Sequence, residues 1–126
     1  MKLPSAYVVA LATVLNVTRY SAELSKKVTR FRMSRQSLCK ISKRQRLRSA
    51  FIEEYEEHLD ILGWTMIEMA DGGYAFIEAS SMTSWTKISS KRVARDITSV
   101  MKGAKSEEEL EQEIEFSLDE EEDGDE

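Results

Sequence analysis

Eight of the twenty residues from Arg30 to Ser49, "RFRMSRQSLCKISKRQRLRS", are lysine or arginine, and none is acidic. Cations at this density neutralise phosphates. Two side-chain types in the run also read bases, arginine pairing bidentately with guanine and glutamine with adenine. The candidate nucleic-acid contacts are Arg30, Arg32, Arg35, Gln36, Lys40, Lys43, Arg44, Arg46 and Arg48. Most charge runs are solvated faces, but ordinary surfaces mix signs. Residues 19–48 hold eleven basic residues against Glu23 alone, which points to a polyanionic partner, with another acidic partner as the next choice. If six phosphates are neutralised, log affinity falls against log salt with a slope of roughly −5.

Catalytic chemistry finds little footing. His58 is the only histidine and lies beside Glu54 and Glu57 on a predicted helix exterior, where a half-buried or solvated structural role is expected. Cys39 is the only cysteine. It cannot form an intramolecular disulfide, and one sulfur is too few for a structural zinc site. Neither residue has the neighbours of an activated nucleophile. Glu68 and Glu78, on two predicted strands, could share Mg²⁺ across a hairpin. "EAS" after the second strand lacks the lysine that follows the acid in the common restriction-type pattern. No glycine-rich phosphate loop is present. The expectation is a protein that is not an enzyme and uses no cofactor or metal.

The elements that must position the cations follow from periodicity. A first helix is predicted from about Pro4 to Asn16, apolar on most sides and therefore buried. Ser21 can cap a short second helix over Ala22 to Thr29. "RFRM" then connects to Ser34, the cap of a helix over Arg35 to Ile41. From about Lys43 to Leu62 a long amphipathic helix is expected, with Leu47, Phe51, Tyr55 and Leu59 inward and Gly63 as its stop. Its cations lie early and its glutamates late, against its own dipole, so an external anion explains that end better than helix stability does. Trp64 to Met69 and Tyr74 to Ala79 read as strands joined by Asp71-Gly72-Gly73. Thr65, Ile67 and Met69 would share one face. Trp85 is expected to anchor the following polar stretch to the core. Ser89 or Ser90 can cap a last helix to about Lys102, stopped by Gly103.

The net charge of −5 hides a split. Residues 106–126 hold thirteen acids and no base, whereas residues 1–105 hold 18 bases and 10 acids. The expected organisation is one basic domain over residues 1–105 and an acidic tail over 106–126. A transient helix over Leu110, Ile114 and Leu118 would give way to disorder from Asp119. The opening "MKLPSAYVVALATVLNV" has a cation and an apolar run, but its small-residue triplet lies inside that run. The run is also too short to span a bilayer. A cytoplasmic protein without a membrane partner is expected.

Three helices followed by a β-hairpin make residues 4–79 similar, in element order and spacing, to a winged helix-turn-helix domain. The fold class is thus α+β, mainly helical, with a hairpin wing, a C-terminal helix and an acidic tail. The resemblance implies duplex DNA, with a helix in the major groove and the hairpin on the adjacent backbone. Either the Ser34–Ile41 segment or the start of the long helix would be the recognition element. Asp71 at the wing tip is the wrong charge for phosphate.

A non-catalytic DNA-binding protein of transcription-regulator type is therefore expected, with a homodimer open to it. The strands carry no aromatic-and-basic surface motif that would favour RNA. Three roles are open to the acidic tail: a solubility device, contact with the basic face of its own chain in competition with DNA, or engagement of a separate basic protein. The alternative is a protein-interaction or inhibitor module, such as an accessory protein of a mobile element, acting through its basic face or acidic tail.

Overall fold

Ser5 starts the first helix: its backbone is extended and its Oγ accepts from the Val8 N–H at 3.2 Å. The helix α1 then runs Ala6–Leu24, longer than the sequence predicts. Ser21 does not cap a second helix. It sits inside α1, and its Oγ accepts from the Val28 N–H at 3.1 Å, tying down the exit loop. The helix stops at Ser25, whose left-handed backbone (φ 52°) lets the Ser25 and Lys26 N–H groups reach the Ala22 and Ser21 carbonyls. These relations come from a computed structural model that describes residues 2–124, with side chains as far as Leu118.

The segment expected to be a connector is a strand, β1 (Arg30–Met33). Arg30 and Arg32 face solvent, while Phe31 and Met33 turn inward, a period of two that four residues barely announce. Ser34 then caps α2 (Arg35–Ser42), its Oγ accepting from the Ser37 N–H at 3.0 Å. The long helix predicted from Lys43 begins only at Ser49: α3 is Ser49–Ile61. Lys43 adopts a left-handed conformation (φ 57°), and the Lys43 and Arg44 N–H groups close α2 on the Lys40 and Cys39 carbonyls. The intervening loop drops Leu47 into the core. The cations from Lys43 to Arg48 thus precede α3 instead of filling its first turn, and Arg48, its N-cap, is left against the positive end of its dipole.

Gly63 (φ +90°) turns the chain into β2 (Trp64–Glu68), which pairs antiparallel with β3 (Tyr74–Glu78). The hairpin is short: Met69 N–H donates to Gly73 O at 2.8 Å, and Gly72 takes the positive φ its turn demands. β1 joins the other side of β3, giving a three-stranded antiparallel sheet in the order β1-β3-β2. On β2 the inward side chains are Trp64 and Met66; Ile67 is exposed.

The core lies where α1, α2 and α3 meet the sheet. Val9, Leu38, Tyr55, Leu59, Tyr74 and Phe76 are almost wholly buried. Each such side chain contributes about 1.5–3 kcal/mol. Phe31 stacks on Phe76 with centroids 4.7 Å apart and meets Trp64 edge-on at 5.4 Å. Burial holds the Tyr55 hydroxyl far above its ordinary pKa, and its hydrogen bond to Thr13 partly offsets this. α1 is not buried on most sides. Ala6, Val9, Ala10, Thr13 and Val17 pack inward, while Tyr7, Val8, Leu11 and Leu15 remain exposed.

The first compact unit runs as far as Trp85, after a 3₁₀ segment Ala79–Ser84. Trp85 is about half exposed and does not join the core cluster. The second unit begins at Thr86 and holds a 3₁₀ turn, Lys91–Val93, and two helices: α4 (Ala94–Met101) and α5 (Glu107–Gly124). Gly103 (φ +78°) terminates α4, and Lys105 Nζ bridges back to Asp96 at 2.6 Å. α5 is helical as far as Gly124. Glutamate is a good helix former, and Glu107, Glu108 and Glu109 favour the positive end of the α5 dipole. Residues 125 and 126 lie outside the described residues. Among the described residues, no helix is long and apolar enough to cross a membrane.

Candidate functional site

The cations of the basic run occupy β1, α2 and the loop that joins α2 to α3. Alternation on β1 turns Arg30 and Arg32 outward. On α2 the burial of Leu38 and Ser42 leaves Arg35, Gln36 and Lys40 on the open side. Past Lys43 the loop exposes Arg46 and Arg48 on either side of the buried Leu47.

Four adjoining surface recesses connect most of these side chains. Arg32 lines the first with Asp71 and Gly73 of the hairpin tip. Asp71 also lines the second, with Ser34, Arg35 and Gln36. A third, of about 610 Å³, is walled by Arg35, Gln36, Cys39, Lys40 and Gln45. The fourth, of about 520 Å³, is shared by Gln45 with Lys43, Arg46 and Arg48. Gln45 is the hinge of this surface; an uncharged residue amid cations, it escapes a reading based on charge. Arg30 lines none of the four recesses.

Arg44 stands apart from its neighbours. Its Nη1 donates to Pro4 O at 2.9 Å and to Ser42 O at 3.0 Å, and its guanidinium lies 4.1 Å from the Phe51 ring centroid. That half-buried side chain pins the start of the chain to the α2–α3 loop, with its charge facing carbonyls and an aromatic face. Arg35 Nη1 makes a long contact, 3.5 Å, to the Tyr74 hydroxyl. Burial raises the Tyr74 pKa, and the nearby Arg35 charge opposes that rise.

None of the remaining six cations lining the recesses forms an ion pair among the described residues; the two bridges there are Lys27–Glu78 and Lys105–Asp96. They present unneutralised charge to solvent. The neighbouring α3 does the opposite. Its exposed face carries Glu53, Glu54, Glu56, Glu57 and Asp60 and no lysine or arginine. Partial desolvation, then the like charges of Asp60, Glu68 and Glu53, raise the Glu56 pKa.

The other candidate chemistry is not assembled. Register sets Glu68 opposite Tyr74 and Glu78 opposite Trp64, so the two carboxylates sit at opposite ends of the hairpin, about 13 Å apart along it. Glu78 instead accepts from Ser80 at 2.8 Å and pairs with Lys27 at 3.0 Å, which hold its carboxyl below the usual range. No group of three potential metal ligands occurs among the described residues. His58 is half-buried against the Tyr7 ring, with centroids 5.0 Å apart. Cys39 is half-buried, its Sγ 3.9 Å from Gln45 O. No protein-family model matches the chain, no curated protein matches it, and no solved structure matches it.

Proposed function

We propose that the chain is a non-catalytic DNA-binding protein, a small transcriptional regulator of winged-helix type that grips duplex phosphates through β1, α2 and the α2–α3 loop. The observation that carries this reading is the unbroken set of recesses lined by Arg32, Arg35, Lys40, Lys43, Arg46 and Arg48, with Asp71 as the sole acid and no internal ion pair. Such a surface gains free energy by releasing counterions from a phosphate backbone. The order α1-β1-α2-α3-β2-β3, with β1 completing the hairpin's sheet, supports the winged-helix resemblance.

The charge distribution modifies how that fold would dock. An α3 bearing five exposed acids would enter a major groove against repulsion, so α2 and the loop are the docking elements. Arg35 and Gln36, in the first turn of α2, are the side chains offered to base edges. The second reading, a protein-interaction module, draws on the same acidic α3 face, which would suit a basic protein.

The test is a mobility shift with duplex DNA across a salt series, comparing the full chain with Lys43→Ala/Arg46→Ala/Arg48→Ala. A shift at low salt that the triple variant loses is expected. No shift with the unmodified chain refutes the proposal and favours the protein-interaction module. Two unrelated duplexes then separate base reading from phosphate contact.

A further inference from the structure

α1 has two apolar faces, and the core uses only one. Tyr7, Leu11, Leu15, Thr18 and Ala22 recur at intervals of four, four, three and four, forming a straight ridge about 22 Å long. Val8 flanks it. Tyr7, Val8, Leu11 and Leu15 are 46%, 51%, 40% and 46% exposed. The one hydroxyl within the ridge beyond Tyr7 makes no demand on water, since Thr18 Oγ1 donates to Val14 O at 2.7 Å. No ionisable group stronger than the Tyr7 phenol occurs between Ala6 and Thr18. A contiguous stripe of this kind on a soluble unit marks an interaction surface.

We infer that this stripe is the interface of a homodimer in which two copies of α1 pack antiparallel about a twofold axis at Leu11. Three observations select a second copy as the occupant. The stripe is uncharged, so it offers a charged partner nothing, while two copies meet without repulsion. Antiparallel packing sets the two helix dipoles head to tail. A twofold axis at Leu11 lays Tyr7 of each copy over Leu15 of the other, a ring against a branched chain, which is the self-complementarity an isologous contact requires. The four large side chains expose on the order of 300 Å² per copy. With Ala12, Thr18 and the stem of Arg19, the pair buries on the order of 1,000 Å² in total, the range of a weak, reversible dimer. Such a dimer would present two basic surfaces, as a palindromic DNA site requires, but its existence does not depend on DNA binding.

Sedimentation equilibrium of the full chain without nucleic acid is the test, so its outcome is independent of the DNA-binding proposal. A concentration-dependent rise from 14.4 kDa to twice that mass is expected. Leu11→Lys/Leu15→Lys should halve the mass at high concentration, with the circular dichroism spectrum unchanged because both side chains are already exposed. In a Cys39→Ser background, a short bis-maleimide should link Leu11→Cys to itself across the axis, and leave Asn16→Cys, on another side of α1, unlinked. A monomer at every concentration overturns the inference. So does a dimer indifferent to the lysine pair, or a monomer that instead binds phosphatidylcholine vesicles through the stripe.

Discussion

Arg44 and Arg48 lie four residues apart in the same basic run, yet the structure gives them different work, and the difference is measurable. Arg44→Gln removes two hydrogen bonds to the Pro4 and Ser42 carbonyls and the stacking on Phe51. Hydrogen bonds to a charged group are each worth about 1.5–3 kcal/mol, and the cation–π contact adds about 0.5–1 kcal/mol at an exposed site. The site is half open and glutamine can retain one donor, so a net loss of about 1–2 kcal/mol is expected. Arg48 precedes α3 as its N-cap without a side-chain hydrogen bond. Its replacement by glutamine removes a cation from the positive end of a dipole, so stability should stay level or rise by about 0.3–1 kcal/mol. On DNA the order inverts. Arg48→Gln should lower the magnitude of the salt slope by about one, whereas Arg44→Gln should leave it unchanged. Urea unfolding followed through the buried Trp64 measures the first pair of effects, and binding titrations over a salt series the second. An Arg44→Gln protein of full stability with a flattened salt slope would refute the division of labour.

Thr13 Oγ1 donates to Val9 O at 2.9 Å, so the buried Tyr55 hydroxyl, 2.8 Å away, must donate to Thr13. Thr13→Val strands that hydroxyl and should cost about 1–3 kcal/mol, Tyr55→Phe only about 0.5–1.5, and the double variant less than their sum; additive losses in urea unfolding would contradict the pairing. Deleting residues 106–126 removes thirteen negative charges from the chain and should tighten DNA binding at low salt, an advantage that fades as salt screens it; equal affinities across the titration would sink this expectation. Ser80 and Lys27 depress the Glu78 pKa, so this carboxylate stabilises the fold above its unfolded pKa of about 4.3 and loses that contribution as pH falls through the folded value. Glu78→Gln should therefore lower stability by under about 1 kcal/mol near neutral pH and not at all in acid, as thermal melts at both pH values would record.

Much of unit one was legible because its signals are local. Ser34 has a partner at Ser37 and caps α2 where expected. Gly72 has the φ its hairpin needs, and Leu38, Phe51, Tyr55 and Leu59 face the core at helical spacing. What failed depends on distant partners. β1 is four residues long and exists because β3, far along the chain, pairs with it. The break at Lys43 is enforced by Leu47 finding the core and Arg44 finding Pro4, contacts that no periodicity encodes. The candidate site was legible as charge, not as surface. The run supplied the cations, but the removal of Arg44, the bridging role of Gln45 and the opposed face of α3 required the fold.

The pairing of β1 with β3 also orders events in time. Arg30 aligns with Ile77 and Met33 with Tyr74, so β1 emerges from the ribosome more than forty residues before its mate exists. β2 and β3 are neighbours and can close on each other at once, whereas β1 must wait with Phe31 and Met33 unsheltered. Contacts of such sequence separation form late and slowly. An unpaired strand in a nascent chain invites association with others like it. Arg30 and Arg32, alternating with those two apolar side chains, are the charges on this strand that oppose such association.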